Sequence, residues 1–169
     1  VNKFAFRNVE TNDFKVAIEE ATGYNLHWFF DEWLYKAGYP VFDIASEWDR
    51  QSRSLRMTVR QTQRIDSLTG LFTTPVEVQV WVHDAPETYR ITVSKQEETF
   101  SFPAYQQPQL VIFDKGSRIL KRVNAQKPLD EWIYQLHHAE DGVDRFIAVD
   151  ELGGFVDSGV VLAALSGAM

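Results

Sequence analysis

Apolar residues recur along this chain with two different periods, and the change of period marks out three zones. Residues 9–38 carry the period of a helix. In "ETNDFKVAIEEATG" the apolar positions Phe14, Ala17, Ile18 and Ala21 fall at i, i+3, i+4 and i+7, one buried face. Thr11 or Asn12 is the expected N-cap, with Asp13 in the first turn, and Gly23 is the expected stop. A second helix follows from Asn25, with Leu26, Phe29, Phe30, Trp33 and Leu34 again on one face. Gly38 ends it and Pro40 forbids its continuation.

From residue 40 to 123 the period drops to two. "SLRMTVRQTQ" alternates Leu55, Met57 and Val59 with Arg56, Thr58 and Arg60. "PVEVQVWVHD" sets Val76, Val78, Val80 and Val82 against Glu77, Gln79, Trp81 and His83, which leaves Trp81 on the outer face. "YPVFDIASEWD", "ETYRITVSK", "TFSFPAY", "QLVIFD" and "RILKRV" bring the total to about seven strands. The turn signals "DRQSRS", "SLTG", "DAPE", "AYQQPQ" and "DKGS" lie between most of them. Half-buried strands at this spacing predict an antiparallel β-sandwich.

Residues 128–169 return to helix. "PLDEWIYQLHHAED" starts at Pro128 and places Leu129, Trp132, Ile133 and Leu136 on one face; "GVDRFIAVDELGG" and "DSGVVLAALSGAM" predict two more helices. Short stacked helices of this kind suit a helical-repeat, HEAT-like array whose members bury their faces against neighbours. The fold expected is therefore mainly β with flanking helices: two helices, a sandwich, then about three helices.

Composition changes this picture in two places. The chain has 169 residues, 44% hydrophobic and 14% aromatic, which is globular. It has no cysteine, which excludes disulfides, thiol nucleophiles and cysteine-based zinc sites. The net charge of −7 sits wholly in residues 128–169, where Arg145 faces eight acidic residues. That acidic region argues against nucleic acid as a partner. No apolar run reaches the ~20 residues of a membrane span, and "VNKFAFRNVE" has no signal-peptide core. Both ends look like cuts in a longer protein. The compartment is not fixed by these features.

Candidate chemistry is sparse. The four histidines, His27, His83, His137 and His138, form no HExxH and no i, i+4 pair. His27 and Asp31 share a helical face, as a surface pair rather than a metal site. His137 and His138 suit a helix C-terminus. The carboxylate neighbours Glu19-Glu20, Asp31-Glu32 and Glu97-Glu98 point in different directions and read as solvated faces. No nucleophile elbow or phosphate loop is present. Arg50, Arg53, Arg56, Arg60 and Arg64 make an arginine stripe, opposed by Glu77, Glu87, Glu97 and Glu98 on neighbouring strands. An outward Trp81 could stack on a sugar or pack against an adjacent domain. The residues alone show a helix–sandwich–helix module without a reaction centre.

"FFDEWLYKAGYPVFDI", residues 29–44, resembles the segment that closes the catalytic domain of gluzincin zinc aminopeptidases, the alanyl/leucyl aminopeptidase superfamily. Phe29, Phe30, Trp33, Leu34, Gly38, Tyr39, Pro40 and Phe42 match that family's Phe-Phe-x-x-Trp-Leu-x-x-x-Gly-Tyr-Pro-x-Phe pattern. "VETNDFKVAIEEATGYNL" is similar to the preceding helix, "LVIFDKGSRILKRV" to the last sandwich strands of bacterial members, and "WIYQLHHAEDGVDRFIAVDEL" to the opening of the C-terminal helical domain. The resemblance is collinear over roughly residues 9–152.

The resemblance implies a division of labour. Residues 1–38 would be the last helices of the catalytic domain, 39–125 the β-sandwich, and 126–169 the start of the helical-repeat domain. Phe29, Phe30, Trp33, Leu34, Gly38, Tyr39 and Pro40 would form the interdomain joint. The parent would be a zinc metallopeptidase, a hydrolase removing N-terminal residues from peptides. Its zinc motif precedes the segment matched, so this chain itself would hold no cofactor, metal or catalytic residue. Its partners would be the upstream catalytic domain and downstream helices of the same chain. Two alternatives stand beside this: a scaffold relative with a decayed zinc motif, such as an aminopeptidase-like subunit of the transcription-initiation machinery, or a ligand-binding β-sandwich.

Overall fold

Helix α1 (Thr11–Thr22) is capped by Glu10, one residue before the expected Thr11. Glu10 accepts the N–H of Asp13, and the Asp13 carboxylate takes the N–H of Glu10 at 3.0 Å. This reciprocal capping box uses carboxylates where Ser or Thr would be usual. Gly23, at φ +73°, closes the helix by donating its N–H to Glu19 O at 2.8 Å. Helix α2 (His27–Phe30) is shorter than its apolar stripe predicts, because residues Asp31–Tyr35 continue it as a π turn. The Lys36 N–H reaches back to Asp31 O, five residues away. The wider turn rotates the later positions. Phe30 is 2% exposed, packed against Phe14 and Phe29, whereas Leu34 is 49% exposed.

The computed structural model describes residues 4–167, and these fall into two compact units. The first joins the residues up to Gly38 with Ile65–Gly70, a segment of the loop following the second strand. Asp66 fastens that segment by taking the N–H groups of Leu68 and Thr69 on Oδ1, and Leu68 O accepts the Ala37 N–H at 3.0 Å.

The second unit comprises Tyr39–Arg64 and the residues from Leu71 onward. It contains seven strands: β1 (Val41–Asp49), β2 (Ser54–Gln61), β3 (Thr74–Val82), β4 (Ala85–Val93), β5 (Glu97–Pro103), β6 (Leu110–Phe113) and β7 (Arg122–Gln126). One sheet has the order β5-β2-β1-β7 and the other β4-β3-β6. Their inward faces supply Phe42, Ile44, Leu55, Met57, Val59, Val76, Val78, Val80 and Phe102 to a common core, as the period-two pattern predicts. β3 and β4 are joined by a two-residue turn with His83 and Asp84 both at positive φ (52° and 57°), the backbone of a type I′ hairpin.

Two expectations change here. The last strand lies at Arg122–Gln126 rather than over "RILKRV", since Ile119–Lys121 are spent leaving the loop after β6. It also pairs parallel to β1, with Val41 opposite Arg122, so the otherwise antiparallel sandwich contains one parallel pair. A chain that leaves β6 and crosses to the other sheet arrives running in the same direction as β1.

Helices α3 (Leu129–His138), α4 (Gly142–Leu152) and α5 (Gly159–Gly167) follow, with a single 3-10 turn at Gly153–Phe155. Trp132, Leu136, Ala148, Leu152 and Val161 form their shared core. The end of the third predicted helix, residues 168–169, lies outside the described residues. Tyr134 of α3 and Ala139 just beyond it pack on the outer face of the β4-β3-β6 sheet, against Trp81, Leu110 and Ile112. Trp81 is therefore not an exposed platform: it is 6% exposed, edge-on to Tyr134 at 6.2 Å, with its Nε1–H donated to Gln79 Oε1 at 3.0 Å.

Candidate functional site

The joint residues divide between the two units. In the helical unit, Phe29 (40% exposed) and Leu34 (49%) leave much of their apolar surface uncovered. Gly38 sits at φ +86°, and a Cβ there would lie 2.8 Å from the Thr69 methyl group. Glycine is needed twice over, for the left-handed backbone and for the space. In the sandwich unit, Tyr39 is 46% exposed and Pro40 is buried, its carbonyl taking the Arg122 N–H at 3.1 Å. None of these residues brings an acid, base or nucleophile to a common point.

The polar groups that do converge lie elsewhere, where α3 and α4 cover the β6–β7 side of the sandwich. Lys127 enters α3 one residue before Pro128, and its side chain is 10% exposed. Its Nζ donates to Gln135 Oε1 at 2.7 Å, stands 3.6 Å from Glu131 Oε1, and lies 4.6 Å from the Trp132 ring centre. Glu131 accepts the Val111 N–H at 3.0 Å, filling an edge position that β6 leaves open. Gln135 passes the network on by donating to Asp144 O at 2.8 Å. Asp144 Oδ2 accepts the Gly116 N–H at 3.0 Å.

That Gly116 belongs to the "DKGS" turn, in which Asp114, Gly116 and Ser117 all have positive φ. Asp114 holds the turn by accepting the Ile119 N–H and pairing with Lys121, both side chains almost fully buried. Beside it, Lys115 and Gln79 both donate to Glu140 Oε2. Helices and sandwich are thus tied by charge-assisted bonds as well as by apolar contact.

Burial sets the electrostatics. It pushes the Lys127 ammonium down to about 8, against the partial support of Glu131, Asp144 and Glu151. Burial likewise raises the Glu131 carboxyl, which Lys127 and the Val111 N–H partly offset, and raises Asp144 against the Gly116 N–H. Both partners of the Lys127–Glu131 pair are moved toward their neutral forms, as desolvation requires. Lys127, Glu131, Gln135 and Asp144 line one cavity of about 380 Å³, with Ile44, Val111, Phe113 and Val123 on its sandwich side.

Sequence reasoning passed over this cluster. The one signal available was the i, i+4 spacing of Lys127 and Glu131, which on a sequence reads as a surface pair. The features it did single out are placed as follows. Arg60 pairs with Glu97 directly across β2 and β5, so that part of the arginine stripe is answered by a carboxylate. Glu98 takes the N–H groups of Ser94 and Lys95, fastening the β4–β5 turn. Asp31 pairs with Lys36 at 2.8 Å, and His27 Nδ1 lies 3.3 Å from Lys15 Nζ. His138 stacks on Tyr134 at 3.8 Å and bonds its carbonyl at the end of α3. Among the described residues no three His, Asp or Glu side chains are grouped to hold a metal.

No protein-family model matches the chain. It is 23% identical over 171 residues to the puromycin-sensitive aminopeptidase of Caenorhabditis elegans, a match covering 97% of this chain and 18% of that protein. Its fold matches the crystal structure of Legionella pneumophila aminopeptidase A in complex with aspartic acid, with a TM-score of 0.77 and 13% identity. That match covers 95% of this chain and 20% of the other. The chain spans about a fifth of the length of these proteins. The resemblance read from residues 9–152 is thus matched twice, once in sequence and once in fold.

Proposed function

We propose that this chain is a non-catalytic structural segment of a zinc-dependent aminopeptidase. It would supply the last helices of the catalytic domain, the β-sandwich spacer and the first helices of a HEAT-like repeat domain. One observation carries the reading: the likeness runs through nearly all of this chain yet takes up only about a fifth of each aminopeptidase. Among the described residues no three His, Asp or Glu side chains are grouped to hold a metal, and no step of peptide hydrolysis is assigned to them. Phe29, Phe30, Trp33, Leu34, Gly38, Tyr39 and Pro40 then act as the joint at which the helical end of one domain gives way to the first strand of the next. Zinc, with the water it activates and the peptide substrate, belongs to a region upstream of them.

The test uses the 169-residue chain. Elemental analysis is expected to find no stoichiometric zinc, and aminoacyl anilides are expected to remain intact; zinc-dependent turnover by this chain would overturn the reading. The sequence upstream of residue 1 in the parent decides between an enzyme and a scaffold relative. HExxH followed by a downstream glutamate supports the former, and its absence the latter. A sugar-binding sandwich loses its main feature with the burial of Trp81.

A further inference from the structure

The cavity beneath α3 has the make-up of a small-molecule site: apolar walls, a few converging polar groups, and a volume of about 380 Å³. Two of the charged groups that line it are held by partners. Lys121 is locked to Asp114, and Asp144 to the Gly116 N–H. Lys127 is different. Its Nζ donates to the neutral Gln135 amide at 2.7 Å, while its ion pair with Glu131 is a looser one at 3.6 Å.

We propose that Lys127 is a covalent binding site for small aldehydes, which enter the cavity with the carbonyl carbon at Nζ and the hydrocarbon tail against Ile44, Val111 and Phe113. The amine lone pair forms the C–N bond and the carbonyl oxygen takes up a proton, giving a carbinolamine. Loss of water from that adduct leaves an imine. No electrons enter or leave, and water is the by-product. Glu131 is placed to take the proton shed by nitrogen and return it to the departing hydroxyl.

The amine is suited to the step. With Lys127 at about 8, roughly a quarter is unprotonated at pH 7.5, against about a thousandth for a solvent lysine. Its lower basicity gives back part of that gain, so a rate advantage of about tenfold is expected. This inference rests on the cavity and its residues, independently of the aminopeptidase reading.

The experiment treats the 169-residue chain with butanal and cyanoborohydride at pH 7.5 and follows butylation at each lysine by peptide mass mapping. Lys127 is expected to react about tenfold faster than Lys95, which is exposed. Glu131→Gln is expected to slow Lys127 at least threefold while Lys95 is unaffected, and Lys127→Arg removes the fast site. Labelling of Lys127 no faster than Lys95, or appearing only once urea unfolds the chain, overturns the proposal. An unchanged Lys127 rate in Glu131→Gln overturns the role given to Glu131.

Discussion

Replacing the buried pair in Lys127→Met/Glu131→Gln should abolish a rise in stability at alkaline pH. Burial lowers the Lys127 ammonium from the ordinary 10.5 to about 8, so holding it charged in the folded state costs about 3 kcal/mol relative to a solvent lysine. Because the folded value is the lower one, the unfolded chain binds more protons between about pH 8 and 10.5. Stability contributed by this group therefore increases as pH rises through that window. The double variant lacks the group and the increase. Gln at 131 keeps an acceptor for the Val111 N–H, and Met at 127 puts an uncharged side chain of similar length where Nζ lies over Trp132. At pH 7.5 the loss of the Gln135 bond, worth about 1 kcal/mol, is set against relief from desolvation. Tyr89 and Tyr134, both pushed up to about 12 by burial and a neighbouring carboxylate, give an opposite slope above pH 10. They are common to both proteins and cancel in the difference. Urea unfolding followed by Trp fluorescence at pH 7.5, 9 and 10.5 measures that difference. The wild type should gain about 3 kcal/mol on the variant across the series. A flat difference would mean that Lys127 titrates like a solvent lysine and that water reaches it freely in the folded state.

Three further substitutions probe separate parts of the structure. Gly38→Ala should lower stability by about 1–3 kcal/mol through its left-handed backbone and its clash with Thr69, with Thr69→Ala restoring the steric part alone; thermal unfolding of the single and double variants separates the two, and an unaffected single variant would refute the geometry. Trp81→Ala should cost about 3–5 kcal/mol, since it empties the contact between the β4-β3-β6 sheet and Tyr134; a loss below ~0.5 kcal/mol in urea would return Trp81 to the surface. Asp144→Ala should cost about 1–3 kcal/mol by orphaning the Gly116 N–H, whereas Asp144→Asn keeps an acceptor there. The folded value of Asp144 is raised, so the wild type should lose stability relative to Asp144→Asn as pH rises through the range where it ionises; equal pH profiles would count against its burial.

Much of the fold can be read along the chain because it is encoded locally. Seven period-two runs give seven strands, and helical stripes on either side give helices at nearly the expected bounds. The handover at Gly38 and Pro40 is equally local, since a left-handed glycine and a buried proline leave a helix nowhere to go. What the sequence obscures depends on partners far along the chain. The parallel pairing of β7 with β1 joins residues about 80 positions apart, and the alternation in "RILKRV" imitates a strand that "RVNAQ" forms. Parity correctly puts Trp81 on the outside of its sheet, but parity cannot tell that α3 will cover that outside.

The buried polar cluster is the sharpest case of this limit, and it also explains why an apparent surface pair matters. A lysine and a glutamate four residues apart at a helix start carry the same spacing whether water or a sandwich lies beneath them. In water such a pair contributes a few tenths of a kcal/mol and no altered chemistry. Here the edge of β6 lies beneath it, and the edge requires an acceptor for the Val111 N–H. That need fixes Glu131 inward, Glu131 and Gln135 then hold Lys127 over Trp132, and desolvation lowers the ammonium into a range where its amine can react. The same bonds that fasten the helices to the sandwich are thus the ones that make this lysine unlike the exposed lysines of the chain. If the tie were only apolar, Lys127 would have been free to reach solvent, and neither its alkaline stability slope nor its selective reaction with an aldehyde would be expected.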